Sequence, residues 1–523
     1  MHKYLDFFFN ILYNETNYIC SEQYKEVLMT RRNRILALIL ASLMLLSAAA
    51  CSDSGTNDET AAPTAGENTE NAAAEETAPE ETGPVAELPD KTYNGEEVMF
   101  LTSLNTGYDW YTSYEIYAEE MNGQLINDAV FQRNNEIEEL LDIKIAETKL
   151  ENCHTTAKSS ITAGDKQFDV VMPYMNNSIN LAVEGSLLDL KQIPYLDLEK
   201  PWWDTRANKD LLINDRLFIT TGDIAILDNE CTMVMFFNKD MIGQYGLESP
   251  YDLVKENKWT IDKVGEMSYS ITNDKNGDGK MTTEDDQWGI SIASNAPISF
   301  YFGAGERVVQ ADETGELQIM MGNTRAYDVY DKIANLCFST EVLSMHTSNK
   351  TGFDDVCASF NAGNIMFVTF ALVDINGLRD AEFEFGILPY PLYDETQQEY
   401  NNLISTGLVS STSIPNTCDN TELVGVTLEA MAYYSTTTLT PAYYDNALKT
   451  RYVRDEESGE MLDIIFATRV YDLGFIFNWG NAGSMVTNMF TGKQTEYASN
   501  WQKIEKAVKK TMEKAMEQFA QIP

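Results

Sequence analysis

The sequence predicts an α/β fold in which helices cover both faces of a largely parallel sheet. Short apolar runs typical of buried strands alternate with segments whose apolar residues recur at helical spacing. A length of 523 residues suits two large domains or about three smaller ones. The 81 acidic and 37 basic residues give a formal net charge of −44, which disfavours nucleic acid and anionic lipid as direct partners.

The alternation is clearest in the first part of the folded body, from residue 91 onward. Strands are predicted over residues 97–101, 143–145 and 168–172. Helices are predicted over residues 126–141, 155–163 and 178–184, with Asn127 as the N-cap of the first.

An export signal is predicted at residues 29–50. Basic residues after Met29 precede an apolar run over residues 35–46, which is too short to span a bilayer comfortably. The small residues that end at Cys51 resemble a bacterial lipobox, in which that cysteine is lipidated. Ala48 departs from the pattern, because Leu, Val or Ile is usual there. An ordinary signal peptide is the alternative.

Two segments flank this signal. Residues 1–28 carry no comparable pattern and are interpreted as an over-called start, with a genuine amphipathic extension as the alternative. Residues 52–90 contain eleven Asp or Glu and no Lys or Arg, a composition that extends a chain and prevents a packed core. The segment 51–90 is therefore expected to be a lipidated, disordered tether on the extracellular face of the membrane.

Several enzyme classes lack the residues they need. The three histidines, His2, His154 and His346, supply a multi-His zinc site poorly, and neither GxSxG nor GxxxxGK[ST] occurs. No carboxylate pair is singled out by surrounding motifs, as a glycosidase would require. We expect a binding protein with no catalytic residues and no organic cofactor.

Six segments carry a family resemblance. They are residues 168–190 (FDVVMPYMNNSINLAVEGSLLDL), 231–240 (CTMVMFFNKD), 257–264 (NKWTIDKV), 360–366 (FNAGNIM), 385–391 (FGILPYP) and 491–495 (TGKQT). In this order they resemble the bacterial extracellular solute-binding proteins that carry maltodextrins and other oligosaccharides to ABC importers. The resemblance covers residues 91–523.

The resemblance implies two α/β lobes, the type II periplasmic-binding-protein fold, joined by a hinge of two or three crossings. The first lobe is mapped to residues 91–231 and about 409–455, and the second to about 238–402 and 456–523. Crossings are expected near residues 231–237 and 403–408, and a third between residues 450 and 463. An oligosaccharide ligand, ABC permease subunits as partners, a monomer and membrane contact through the lipid alone are also implied.

Candidate ligand-binding residues follow the ends of predicted strands, where α/β lobes hold ligands. Aromatic rings suit the C–H faces of sugars, and Asp or Asn suits their hydroxyl edges. The candidates are Asp109, Trp110, Tyr111, Tyr174, Asn176, Trp202, Trp203, Asp223, Asn229, Phe370 and Trp479. Relatives carry a stacking aromatic at the positions of Phe370 and Trp479. Of Trp202 and Trp203, one is expected to face the cleft; each tryptophan has a core role as its alternative.

A calcium loop is predicted at residues 274–285 (DKNGDGKMTTED). The side chains of Asp274, Asn276, Asp278, Thr282 and Asp285 and the carbonyl of Lys280 fall at ligand positions, and Gly279 permits the sharp turn. Asp285 stands where helix-loop-helix sensors have Glu, which resembles dockerins and alginate-oligosaccharide-binding proteins. We expect Ca²⁺ in a static structural role, with a metal-free turn as the alternative.

Three functions remain open from the sequence. The first is an oligosaccharide-binding lipoprotein of an ABC importer. The second is the same architecture with a peptide or polyol as ligand, and the third is a cell-surface enzyme or adhesin that acts on glycans. The acidic balance favours a neutral glycan over a polyanionic one.

Overall fold

The computed structural model describes residues 83–107, 109–344, 352–444 and 455–522. Cys51, the segments 1–28 and 29–50 and most of the segment 51–90 lie outside these ranges. The described residues belong to one compact unit. Among the helices of these ranges, none has the length and apolar character needed to cross a bilayer.

The strands and helices alternate over most of the described chain. The strands are β1 Glu96–Ser103, β2 Ile143–Leu150, β3 Val170–Met172, β4 Met233–Asn238, β5 Trp288–Ile292, β6 Val309–Ala311, β7 Leu317–Ile319, β8 Val342–Ser344, β9 Ile365–Ala371, β10 Phe385–Leu388, β11 Asn402–Leu403 and β12 Arg469–Val470. The α-helices are α1 Leu125–Leu141, α2 Cys153–Ala163, α3 Met175–Val183, α4 Thr205–Asp210, α5 Leu227–Glu230, α6 Lys239–Tyr245, α7 Pro250–Lys255, α8 Ile261–Ile271, α9 Ala296–Gly303, α10 Thr324–Cys337, α11 Phe353–Asn361, α12 Thr421–Ser435, α13 Leu439–Pro441, α14 Glu456–Ala467, α15 Leu473–Phe477, α16 Ala482–Thr491 and α17 Tyr497–Gln521. Short 3₁₀-helices are Asp109–Tyr111, Leu190–Gln192, Leu372–Gly377 and Trp479–Asn481.

The first lobe is built on a parallel sheet with the strand order β2–β1–β3. Parallel pairing follows from the helices between successive strands, since α1 connects β1 to β2 and α2 connects β2 to β3. Helix α12 returns late in the sequence to pack on α1 and β1. The buried residues Val98, Phe100, Ile137 and Val424 join these elements in one apolar cluster.

The second lobe is built on a mixed sheet with the strand order β10–β4–β9–β5–β8. Strand β9 pairs parallel with β5 and antiparallel with β4, while β10 pairs antiparallel with β4. The expected largely parallel sheet is therefore found in the first lobe but only in part of the second. Strand β4 is buried along its whole length, which explains its unbroken apolar sequence.

The start of one helix differs from the expectation, and a threonine caps the start of another. Helix α1 begins one residue before the prediction, with Gln124 at its N-cap position, and Asn127 instead donates to the Glu120 carbonyl at 2.7 Å. The expected cap of α1 is therefore wrong. Thr260 does cap α8, because its hydroxyl accepts the Lys263 N–H at 3.2 Å.

Two segments that connect the lobes lie side by side. The Ser405 N–H donates to the Cys231 carbonyl at 2.9 Å, and Thr232 forms an antiparallel bridge with Ile404. Helix α14 then packs on β10 of the second lobe, so the chain returns there between Pro441 and Glu456. Part of that return lies outside the described ranges.

Candidate functional site

A cavity of about 240 Å³ lies where loops of the two lobes meet the connecting segments. Its wall combines residues that follow β1 and β5 with residues at and after the end of β9. The lining residues are Tyr111, Met233, Ala293, Ser294, Asn295, Phe353, Thr369, Phe370, Ala371, Asp374, Ser405 and Leu408.

One hydrogen bond crosses between the lobes at this cavity. The phenol of Tyr111, in the 3₁₀-helix after β1, donates to the Asp374 carboxylate at 2.5 Å. Asp374 lies in the 3₁₀-helix after β9 and also accepts the Ala371 N–H at 3.0 Å. The cavity therefore sits beside a direct contact between the first and second lobes.

Burial changes the acidity of both partners. Loss of solvent raises the pKa of Asp374 to about 6, although hydrogen bonds from Tyr111, Ala371 and Trp110 oppose that rise. Burial, followed by the charge of Asp374, raises the pKa of Tyr111 above its ordinary value. Tyr111 therefore keeps its proton and acts as a donor at neutral pH.

Aromatic rings form one side of the site. Phe353 and Phe370 meet edge to face with their ring centroids 5.0 Å apart. Trp110 lies against the same Phe353, with centroids 6.5 Å apart, and against Tyr111 at 6.4 Å. The predicted residues Trp110, Tyr111 and Phe370 are thus brought together, from two lobes.

The other predicted residues of the first lobe occupy nearby but separate positions. Tyr174 accepts a long 3.5 Å hydrogen bond from the Asn105 amide, and the Asn176 N–H donates to the Thr406 carbonyl at 3.1 Å. The side-chain oxygen of Asn176 is buried and has no hydrogen-bond partner in the described part of the chain. Asp109 is exposed and accepts the Tyr114 hydroxyl at 2.6 Å within its own loop.

Trp202 and Trp203 are both core residues. Each side chain is 2% exposed, and the two indole N–H groups donate to the same Glu429 carboxylate at 3.1 and 2.9 Å. Trp202 also packs edge-on against Tyr433. The expectation that one of the pair faces the cleft is therefore wrong, because a buried acceptor on α12 holds both indoles inside the first lobe.

Trp479 also lies in the core rather than at the cavity. Its indole stacks on Phe477 with centroids 4.7 Å apart and an interplanar angle of 11°. Backbone of α17 closes over the neighbouring Gly480, where an added Cβ would lie 2.5 Å from the Val508 nitrogen. Trp479, which was expected to stack on a sugar, therefore stacks on Phe477 instead.

Asp223 and Asn229 lie near the guanidinium of Arg469, a residue that the sequence analysis did not single out. Arg469, on β12, pairs with Asp204 at 2.7 Å and with Asp228 at 3.3 Å, and Asn229 accepts a further hydrogen bond at 2.5 Å. Burial and the nearby charge of Asp228 raise the pKa of Asp223 to about 7. This cluster ties β12 to the first lobe and is not part of the cavity wall.

The cavity contains residues that sequence reasoning missed. Asp374 follows the end of β9 by three positions, so the strand-end rule that selected Phe370 could have selected it. Phe353 and Asn295 begin or precede helices in the second lobe, and no motif marked them. Their contribution depends on the pairing of β9 with β5, which is a tertiary feature.

The predicted calcium loop contains turns in which side-chain oxygens accept N–H groups from later residues of the same loop. Asp274 accepts the N–H groups of Gly277 and Gly279 at 2.7 and 2.8 Å, and both glycines have positive φ. Asn276 and Asp278 accept N–H groups two residues further on. Since each carboxylate oxygen has more than one lone pair, these bonds leave capacity for a cation.

Asp286 closes this loop, one residue beyond the expected final ligand. Its buried carboxylate accepts the N–H groups of Lys275 and Thr282 at 3.0 and 2.7 Å, and these bonds lower its pKa. Asp285 itself is exposed. No group of three or more His, Cys, Asp or Glu in the described ranges is gathered as a metal cluster. Three of the expected ligands are not carboxylates: Asn276 offers an amide oxygen, Thr282 a hydroxyl and Lys280 its backbone carbonyl.

Residues 150–434 match the sequence profile of the bacterial extracellular solute-binding proteins. The chain belongs to this family. Members of the family are binding proteins that act outside the cytoplasm, as the sequence predicted. Among curated proteins, no sequence matches this chain.

Solved structures share the two-lobed fold at low sequence identity. An ABC substrate-binding protein from Listeria monocytogenes in complex with cycloalternan is 15% identical, with a TM-score of 0.53 over 80% of this chain and 99% of the other. MalE from Bdellovibrio bacteriovorus bound to maltotriose is 14% identical, with a TM-score of 0.51 over 80% and 99%. A solute-binding protein from Agrobacterium radiobacter in complex with ribitol is 11% identical, with a TM-score of 0.51 over 80% and 100%. The predicted fold class is confirmed.

Proposed function

We propose that this solute-binding protein captures a carbohydrate between its lobes and delivers it to the membrane subunits of an ABC importer. The observation that carries the proposal is the cavity where Tyr111 of the first lobe donates to Asp374 beside the aromatic rings of Phe353 and Phe370 of the second lobe. Two proteins of similar fold were solved with sugars bound, cycloalternan and maltotriose.

The chemistry of the wall supports a sugar. Phe353, Phe370 and Tyr111 offer flat apolar surface for C–H faces, and Ser294, Asn295 and Ser405 offer neutral donors and acceptors for hydroxyl groups. Because the wall draws on both lobes, a ligand there binds the closed arrangement better than an open one. Such differential affinity is what shifts a population toward closure.

Binding without hydrolysis is part of the proposal. A glycosidase needs two carboxyl groups about 5 to 9.5 Å apart on either side of the bond it cleaves. Asp374 is the one carboxylate among the described residues that line the cavity, and its oxygens already accept hydrogen bonds from Tyr111 and Ala371.

Anchoring by lipid at Cys51 remains a proposal from the sequence. It would hold a monomer outside the cell on the acidic tether 51–90, within reach of the permease. Mass spectrometry of the mature protein tests it directly. A diacylated N-terminal Cys51 supports the proposal, and peptides recovered from residues 1–28 contradict it.

Calcium in the loop 274–285 is also proposed, as a structural ion. The loop's turns and the inward Asp286 support it, because they fix the backbone before any ion binds. In that case the ion would stabilise the second lobe near Trp288, whose indole N–H donates to the Thr282 carbonyl at 2.8 Å.

A polyol or a peptide is the alternative cargo, and the polyol gains support from the fold neighbour solved with ribitol. A calorimetric and thermal-shift screen with oligosaccharides, polyols and short peptides separates the cases. Micromolar binding of a sugar without product after overnight incubation supports the proposal. A response to peptides alone, or release of hydrolysis products, contradicts it.

A further inference from the structure

The size of the cavity limits what it encloses. Its 240 Å³ is below the ~300–1,000 Å³ that surrounds a drug-sized ligand. A disaccharide has about as many non-hydrogen atoms as such a ligand, so the space suits a single ring with its hydroxyl groups. Tyr111 already contacts Asp374 across the lobes, so this volume is that of a closed arrangement.

The charge of the wall limits the ligand as well. Among the described residues that line the cavity, none is cationic, and Asp374 is the sole carboxylate. A sugar carboxylate or phosphate placed there would lose water and face Asp374 without a counter-charge, which costs free energy. The polar groups left for a ligand are the neutral side chains of Ser294, Asn295 and Ser405.

One side of the cavity opens to solvent. Asn295 is exposed, and Ser294 and Leu408 are half-buried, whereas the lining residues Ala293, Thr369 and Ala371 are buried. A longer glycan therefore has a path out of the cavity past Asn295, with its remaining rings outside.

We infer that the site recognises one uncharged sugar ring, enclosed by Tyr111, Phe353 and Phe370, and leaves the rest of any glycan in solvent. This inference rests on the proposed function and adds its substrate class. It predicts strong dependence of affinity on the identity and charge of that ring, and weak dependence on chain length.

The test is calorimetry of the full chain with neutral sugars of one to four rings in the gluco, galacto and manno configurations, and with glucuronic, galacturonic and mannuronic acids. In the series that binds, Kd should change less than 3-fold from two rings to four. The uronic acid that matches the binding sugar should bind at least 10-fold more weakly. A 10-fold gain for each ring up to four, or a uronic acid that binds as well as the neutral sugar, overturns the inference alone. If no sugar in the panel binds, the proposed function fails and the inference falls with it.

A cavity-filling variant gives an independent arm. Ser294→Trp places a large side chain at the wall, and Ser270→Trp places the same side chain on the exposed face of α8 as a matched control. S294W should weaken binding of the shortest and the longest sugar equally, by at least 10-fold, with a melting temperature like that of S270W. Unchanged affinity of S294W for the four-ring sugar would place the ligand outside the cavity and contradict the inference.

Discussion

The hydroxyl of Tyr111 lies 2.5 Å from the Asp374 carboxylate, although the two residues belong to different lobes and are 263 positions apart in the sequence. Each follows the last residues of a strand, β1 for Tyr111 and β9 for Asp374. Their contact exists only when the lobes are together. It therefore reports closure and contributes to it.

Removal of this contact should weaken ligand binding without unfolding the protein. Tyr111→Phe deletes a hydrogen bond to a charged acceptor, which is worth ~1.5–3 kcal/mol. We expect Kd to rise at least about 10-fold, because the closed state loses that free energy. Tyr114→Phe is the matched control, since its hydroxyl donates to Asp109 at 2.6 Å within the first lobe alone. Equal affinities of Y111F and Y114F in calorimetry would show that the cross-lobe bond plays no part.

Stability should rise when the pH falls from 7 to 5. Burial raises the pKa of Asp374, Asp228 and Asp472 to about 6 in the folded state, above the ordinary value near 3.9 for Asp in unfolded chains. The folded state thus binds these protons more tightly, so their contribution is complete below about pH 4 and is lost as the pH rises through about 6.

Thermal melts at a series of pH values check this linkage. Asp374→Asn should reduce the gain in melting temperature between pH 7 and pH 5, whereas Asp331→Asn on the exposed face of α10 should leave it unchanged. A melting temperature that falls steadily from pH 7 to pH 5 in the parent protein would contradict the expected sign.

Calcium should raise the melting temperature without being needed for sugar binding. Removal by a chelator is expected to lower the melting temperature by several degrees, because an ion that binds the folded state stabilises it. Sugar binding should persist, since none of the described residues 274–285 lines the cavity. Asp274→Asn should abolish the calcium effect because it removes a charged ligand while an oxygen remains to accept the Gly277 N–H.

Asp312→Asn serves as the control for calcium. Asp312, in the β6–β7 turn, accepts the N–H groups of the residues two and four positions later. It therefore has similar geometry without the loop motif. A parent protein whose melting temperature is the same with chelator and with excess calcium would remove the calcium proposal.

Loss of Glu429 should destabilise the fold and spare ligand binding. Glu429→Leu leaves the indole N–H groups of Trp202 and Trp203 without their acceptor in the core, and each unpaired buried donor costs ~1–3 kcal/mol. We expect the free energy of unfolding to fall by roughly 2–6 kcal/mol in denaturant titrations. Glu429→Gln keeps one acceptor oxygen and should lose less. If E429L binds the sugar more than 3-fold more weakly at a temperature where it is folded, the two tryptophans contribute to the ligand site, and their assignment to the core alone is wrong.

The sequence predicted the fold class, the family and part of the cavity. Local patterns suffice for strands such as β1 and β9: Tyr111 follows β1, Phe370 lies near the end of β9, and both line the cavity. They do not reveal long-range partners. Trp202 and Trp203 are held in the core by Glu429, which lies more than 220 positions later in the sequence. Phe353 joins the cavity only through the packing of α11 on β9.

Small-angle X-ray scattering with and without a saturating sugar tests the central claim most directly. Binding of the sugar is first established by calorimetry on the same sample. The account predicts that the radius of gyration of the parent protein decreases on saturation, and that Y111F contracts less at equal occupancy. Superimposable scattering profiles of the free and saturated parent protein would contradict closure of the lobes over the ligand.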